Sequence, residues 1–148
     1  MNATNKEELT RVQRVSDNKF NLITADGKLL SKQWFDWIDY FHDGLAIVRR
    51  AYEKYNYIGK EGKLLSNDWF KSASCFYNGF AVVQRGYNQY NFIDRQGKLL
   101  SDEWFKSVDY FNKDGFARVQ RKDSKWNFIT KDGKIISDEW FKYVEDFQ

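Results

Sequence analysis

The sequence predicts an all-β protein. It reads as four repeats of about 35 residues, each a short antiparallel meander, stacked as a small β-propeller-like ring or an open β-solenoid. Three observations predict it. Trp-Phe pairs recur at Trp34-Phe35, Trp69-Phe70, Trp104-Phe105 and Trp140-Phe141, with spacings of 35, 35 and 36. The patterned stretches between them are only about four to six residues long, aromatic and β-branched, and end at Gly, Asn or Asp. Both faces of the resulting strands are apolar, so a single flat sheet would leave one face uncovered while stacked sheets would not.

Each element follows in order. A Gly-x-Ala start opens three of the copies, at Gly44-Leu45-Ala46, Gly79-Phe80-Ala81 and Gly115-Phe116-Ala117. The first strand, Leu45–Arg50 in the second copy, returns as Tyr55–Gly59, and a third stretch runs Lys63–Ser66. The expected register sets Val48 opposite Ile58 and Arg50 opposite Asn56. The equivalent pairs are Val12–Ile23 and Arg14–Asn21, Val83–Ile93 and Arg85–Asn91, and Val119–Ile129 and Arg121–Asn127. A slip of one residue would turn every side chain to the wrong face. The second hairpin turns at Asp26-Gly27, Glu61-Gly62, Gln96-Gly97 and Asp132-Gly133, resembling a two-residue type I′ turn. That turn would pair Ile58 with Leu65, Ile93 with Leu100, Ile129 with Ile136 and Ile23 with Leu30. The segment after each Ser, such as Ser101–Phe105, has two readings: a helical turn with Ser as N-cap, or a short fourth strand.

The expected organisation is an N-terminal tail, 1–9, and one repeat domain, 10–148. Its copies span about 10–43, 44–78, 79–114 and 115–148. No linker separates them.

The aromatic-Asn-aromatic-Ile element, the Gly-x-Ala-x-Val start and the Gly-Lys turn together resemble the WG-repeat (KWG-type) proteins of bacteria, and of phages that infect gut Bacteroidetes. The resemblance runs from about Val12 to Phe147. It departs at the name-giving Trp-Gly, which here is Phe20-Asn21, Tyr55-Asn56, Tyr90-Asn91 and Trp126-Asn127. Asn tolerates left-handed backbone angles best among non-Gly residues, so these positions are expected to form a bulge at the strand entrance. The resemblance implies the repeat architecture and little about activity.

Composition narrows the function. The 148 residues include 6 Trp, 9 Tyr, 13 Phe, no Pro and one Cys. A mean hydropathy of −0.75 is polar for a folded chain, and the aromatics compensate because each buries a large area. One Cys excludes an internal disulfide framework. A net charge of +3, from 24 basic and 21 acidic residues, is too mild to require nucleic acid or a membrane. No apolar run approaches a membrane span, and the first ten residues lack a signal-like core, so a cytoplasmic location is expected.

Catalysis is not expected. The one histidine, His42, sits in a loop where the other copies carry Tyr77 and Asn112. Cys75 aligns with Tyr40 and Tyr110, which predicts a partly buried packing residue. No phosphate loop, metal-ligand spacing or serine elbow is present, and no cofactor is expected. Two groups remain as binding candidates. Arg14, Arg50, Arg85 and Arg121 form a repeated row of donors suited to phosphate or carboxylate, or pair with Asn and Asp while their stems cover apolar neighbours. Tyr52 and Tyr87, near hairpin tips, and Trp126 form an aromatic loop set interleaved with Lys, Asn and Gln. The expected function is a non-enzymatic module presenting repeated loops to a protein partner, with self-association open. The alternative is a protein, phage-encoded in one version, that binds or sequesters a small anionic or nucleotide-like molecule. The Trp-Phe pairs and Phe41, Phe76, Phe111 and Phe147 are expected in the core.

Overall fold

The computed structural model describes residues 8–147. The expected tail lies outside the described residues up to residue 7, and the first strand already begins at Leu9. Among the described residues there is no helix. The described residues form eleven strands in four small antiparallel sheets. β1 (Leu9–Gln13) pairs β2 (Phe20–Thr24). β3 (Trp37–Ile38), β4 (Leu45–Ala51) and β5 (Lys54–Gly59) form the second sheet, and β6 (Ser72–Ala73), β7 (Phe80–Gly86) and β8 (Gln89–Asp94) the third. β9 (Ser107–Val108), β10 (Phe116–Gln120) and β11 (Trp126–Thr130) complete the set. The all-β repeat prediction is therefore met.

The two readings of the post-Ser segment resolve to strand. After the first three Trp-Phe pairs the chain runs as a two-residue strand, β3, β6 or β9, alongside the next first strand. The Ser does not cap a helix. Its hydroxyl instead accepts the N–H two residues on, as Ser101 Oγ does from Glu103 at 3.0 Å, which closes a local turn in place of a helical one.

The first-hairpin register lies two residues from the expected one. Ala46 faces Ile58 and Val48 faces Asn56. The same pairing recurs as Ala81–Ile93 and Val83–Asn91, Ala117–Ile129 and Val119–Asn127, and Thr10–Ile23 and Val12–Asn21. A shift of two preserves which face each side chain takes, so the inward set is unchanged. In the two middle copies a bulge accompanies it. In β4 the register slips between Arg49 and Ala51, and in β7 between Gln84 and Gly86. The bulge lifts Arg50 and Arg85 out of the ladder, so neither faces an Asn.

The second hairpin is also longer than expected. Gly27 N–H donates to Thr24 O at 2.9 Å, and Thr24 N–H to Lys28 O at 2.9 Å. Three residues therefore form the loop, with Gly27 at φ +87°, the arrangement of a tight turn followed by a left-handed glycine bulge. The extra residue moves the partner of Ile58 from Leu65 to Leu64, and gives Ile93–Leu99, Ile129–Ile135 and Ile23–Leu29.

The chain divides into two compact units at the Trp69–Phe70 step. The first holds a core of Leu22, Phe35, Ile38, Ala46, Val48 and Ile58. The second holds Phe92, Phe105, Phe111, Ala117, Val119 and Ile129. β5 is buried from Asn56 through Gly59, so both of its faces are covered, as the sequence required. Not every expected core aromatic is inside. Phe35, Phe70 and Phe105 are buried, but Phe141 is 39% exposed and Phe147 51%. Among the described residues no strand follows β11 to cover them.

Candidate functional site

The aromatic-Asn element is built around a buried amide. Asn21, Asn56, Asn91 and Asn127 are all fully buried. None has a positive φ, so the expected left-handed bulge does not form there. Each side chain instead clamps its own strand to the segment after the next turn. Asn91 Nδ2 donates to Ser101 O at 2.7 Å, and its Oδ1 accepts the Phe92 N–H at 2.8 Å. Asn21, Asn56 and Asn127 repeat the clamp on Ser31 O, Ser66 O and Ser137 O. Burial without partners would be costly, so the amide is chosen for its two hydrogen-bonding ends rather than for its backbone.

The Arg row is real, and its first partner is aromatic. Arg14 lies over Trp34 with its guanidinium carbon 4.4 Å from the ring centre, Arg50 over Trp69 at 4.4 Å, Arg85 over Trp104 at 4.5 Å and Arg121 over Trp140 at 3.9 Å. Each Arg thus covers the Trp of its own repeat. Such a stack contributes on the order of 0.5–1 kcal/mol at an exposed site. Two of the four also meet carboxylates: Arg14 pairs Asp17 at 2.6 Å and Arg121 pairs Glu103 at 2.9 Å. The Arg14 guanidinium, by hydrogen bonding, lowers the Asp17 carboxyl to about 2. Arg85 donates to Gln89 Oε1 at 3.1 Å. In the second unit Arg85 and Arg121 line one cleft of about 440 Å3 with Trp104, Glu103 and Asp102.

The hairpin tips behave differently. Tyr52 and Tyr87 are each 82% exposed. Glu53 and Asn88, the residues after them, take φ +56°, which fixes each tip in a tight turn. Trp126 does not belong with them. It is half-buried in β11, its backbone pairs with Phe141 at 2.7 and 2.9 Å, and the Arg118 guanidinium approaches its ring at 5.9 Å.

His42 is exposed in its loop. Cys75 is exposed too, which corrects the packing role expected for it. Tyr40 and Tyr110, with which it aligns, are themselves 67% and 53% exposed, so the position faces outward in three copies. Sequence reasoning passed over Arg11 and Arg49. Arg11 lies over Trp37 and Tyr40 at 4.8 and 4.4 Å. Arg49 stands opposite Trp37 where the next copy has Gln84 opposite Ser72, joined by a 2.9 Å hydrogen bond. The signal available was a break in the repeat, with Trp37 and Arg49 replacing Ser72 and Gln84 together.

The model of the WG containing repeat family matches residues 22–55 and 92–126. Those two regions are WG containing repeats. Each matched WG repeat starts after the buried Asn and ends on the aromatic of the next aromatic-Asn pair, Tyr55 or Trp126. No curated protein matches the chain. Among solved structures, the chain with these WG repeats is similar to KlHsv2 with loop 6CD replaced by a Gly-Ser linker, at 11% identity and a TM-score of 0.47, covering 87% of this chain and 48% of that one. It is also similar to the WD40 β propeller domain of Doa1, at 13% identity and 0.38, covering 94% and 51%. The computationally designed Ika4 protein matches at 13% identity and 0.41, covering 88% and 87%. The chain spans about half the length of the first two.

Proposed function

We propose that the protein is a non-enzymatic binding module that presents its first-hairpin tips to a protein partner. The observation that carries this is the exposure of Tyr52 and Tyr87, 82% each, on turns held rigid by Glu53 and Asn88. A tyrosine held out in water contributes nothing to its own core, and tyrosine is enriched where proteins meet because it offers a large rigid contact at small entropic cost. The surrounding charge supports a partner with an acidic surface. Segments 13–19, 49–54, 84–90 and 120–126 hold nine of the 24 basic residues but three of the 21 acidic ones. The reading assigns no catalytic group and no cofactor, and it fits a cytoplasmic protein.

The test replaces Tyr52 and Tyr87 with Ala and compares proteins captured from the native cell. Capture should fall at least tenfold while the melting temperature stays within about 1 °C, since exposed substitutions rarely move stability. Unchanged capture would remove the tips from the interface.

The alternative, a small anionic or nucleotide-like ligand on the Arg row, draws on the second-unit cleft shared by Arg85 and Arg121. It is the weaker reading. All four guanidiniums already stack on Trp, and Glu103 and Asp102 bring negative charge into that cleft.

A further inference from the structure

The first unit contains a cleft of about 600 Å3 whose lining includes Leu9, Arg11, Leu22, Tyr40, Phe41 and Lys60. That volume falls within the range of small-molecule sites. Glu8 and Asp39 also line it.

Arg11 marks this cleft as different from the rest of the array. It occupies the position held by Ile47 and Val82 in the two middle copies and by Arg118 in the last. The two arginines start alike. Arg11 Nη1 donates to Ile38 O at 2.9 Å, and Arg118 Nη1 to the equivalent Val144 O at 3.3 Å. They then diverge. Arg118 is paired with Asp109 and lies near Asp146 at 3.7 Å, and its hydrogen bond to Asp109 raises its pKa further. In the first unit Tyr40 stands where Asp146 stands, and no carboxylate pairs with Arg11 among the described residues. Its guanidinium is oriented instead by Trp37, Tyr40 and one carbonyl, contacts that use one of its five donors among the described residues. Lys60, over the Phe41 ring at 5.8 Å, brings a second cation to the same cleft. It too makes no ion pair among the described residues. Leu22 is 3% exposed and with Leu9 and Phe41 supplies an apolar floor, while Tyr40 offers an exposed aromatic face.

We infer that this cleft binds a flat organic anion, with its ring against the apolar floor and Tyr40 and its charged group on Arg11 and Lys60. Oriented cations beside aromatic faces are the pairing that recognises such a molecule. The two carboxylates limit its charge. Asp39 Oδ1 accepts the Tyr40 N–H at 2.8 Å and is thus turned toward its own backbone, but Glu8 and Asp39 together disfavour a polyanion. A single carboxylate or phosphate on an aromatic body fits best. The site is independent of the tyrosine tips.

Isothermal titration of the full chain with four probes tests this: indole-3-acetate, indole-3-acetamide, acetate and adenosine monophosphate. Indole-3-acetate should bind, and the amide and acetate should bind at least tenfold more weakly, because each lacks the charge or the ring. Adenosine monophosphate distinguishes a phosphate-bearing from a carboxylate-bearing ligand, by which of the two aromatic anions binds more tightly. Arg11→Ile installs the residue of the second copy and should weaken binding at least tenfold. Lys60→Ala and Tyr40→Ala change exposed side chains and should each weaken it severalfold, so the result does not depend on one variant folding. Tyr52→Ala with Tyr87→Ala should bind as wild type. Failure of both aromatic anions to bind at millimolar concentration, or equal binding by the Arg11, Lys60 and Tyr40 variants, overturns the inference.

Discussion

Asn91 shows what the aromatic-Asn pair contributes at the scale of one residue. Its amide is fully buried and joins Ser101 O to the Phe92 N–H. Asn91→Ala removes both partners at once and should cost about 2–3 kcal/mol, because each buried group left unpaired costs about 1–3 kcal/mol. Asn91→Gly should cost at least as much, although Gly stands there in the WG dipeptide. The position has ordinary φ, so Gly gains nothing from its freedom and loses the clamp. Urea denaturation of the two variants measures this, and a neutral Gly variant would restore the backbone explanation. The Asp17 carboxyl, held at about 2 by the Arg14 hydrogen bond, gives a pH prediction at the same scale. Its folded pKa lies below the ordinary carboxylate value near 4. Its contribution is therefore present above that value and is lost as pH falls through about 2. Asp17→Asn should flatten the acid side of the stability profile below about pH 4, and unaltered acid sensitivity would mean the exposed pair is idle.

At the scale of the element, loop length explains what could and could not be read in advance. Strand positions, inward faces and the four-fold repeat follow from the spacing of Val48, Ile58 and their equivalents. The register does not, because the bulge after Arg49 and the third loop residue at Gly27 each shift pairing without changing the pattern of apolar residues. The Arg–Trp stacks were hidden for the same reason. Each of these Arg residues stands beyond the regular ladder pairs, Arg50 and Arg85 at the bulge and Arg14 and Arg121 past the strand end, and no local pattern encodes its reach to the Trp. The tips, in contrast, were legible as tips, since Tyr52 and Tyr87 stand outside the apolar alternation. The turn glycines separate two demands that sequence presents as one. Gly27 and Gly62 have nearly equal φ, +87° and +88°. A Cβ at Gly27 meets nothing within 4 Å, whereas one at Gly62 would lie 2.5 Å from Leu30 O. Gly27→Ala should cost about 1–2 kcal/mol, the strain of a left-handed L-residue. Gly62→Ala should cost clearly more, since a backbone oxygen of the preceding repeat must also move. Equal melting-temperature losses would show that the close approach at Gly62 relaxes freely.

Across the whole molecule, one motif residue meets different surroundings in different copies. The Phe of the Trp-Phe pair is 0% exposed at Phe35, 2% at Phe70, 0% at Phe105 and 39% at Phe141. Local sequence is nearly the same in each, so the difference lies in what packs on top. Phe105 belongs to the second unit's core with Phe92, Phe111 and Val119, while Phe141 pairs its backbone with Trp126 and keeps one side in water. This is why the sequence assigned all four to the interior: repetition reveals a position's role in the unit but not the cover that unit receives. Phe105→Ala should then cost about 3–5 kcal/mol, the range for emptying a buried aromatic site. Phe141→Ala should cost less than half as much, because part of its surface is already hydrated and the remaining void can fill with water. Guanidinium denaturation of the two variants, compared at constant slope, decides it. Equal costs would mean that Phe141 is covered in solution by something beyond its own unit, and sedimentation of the wild-type chain over a concentration series would then show whether a second copy supplies that cover.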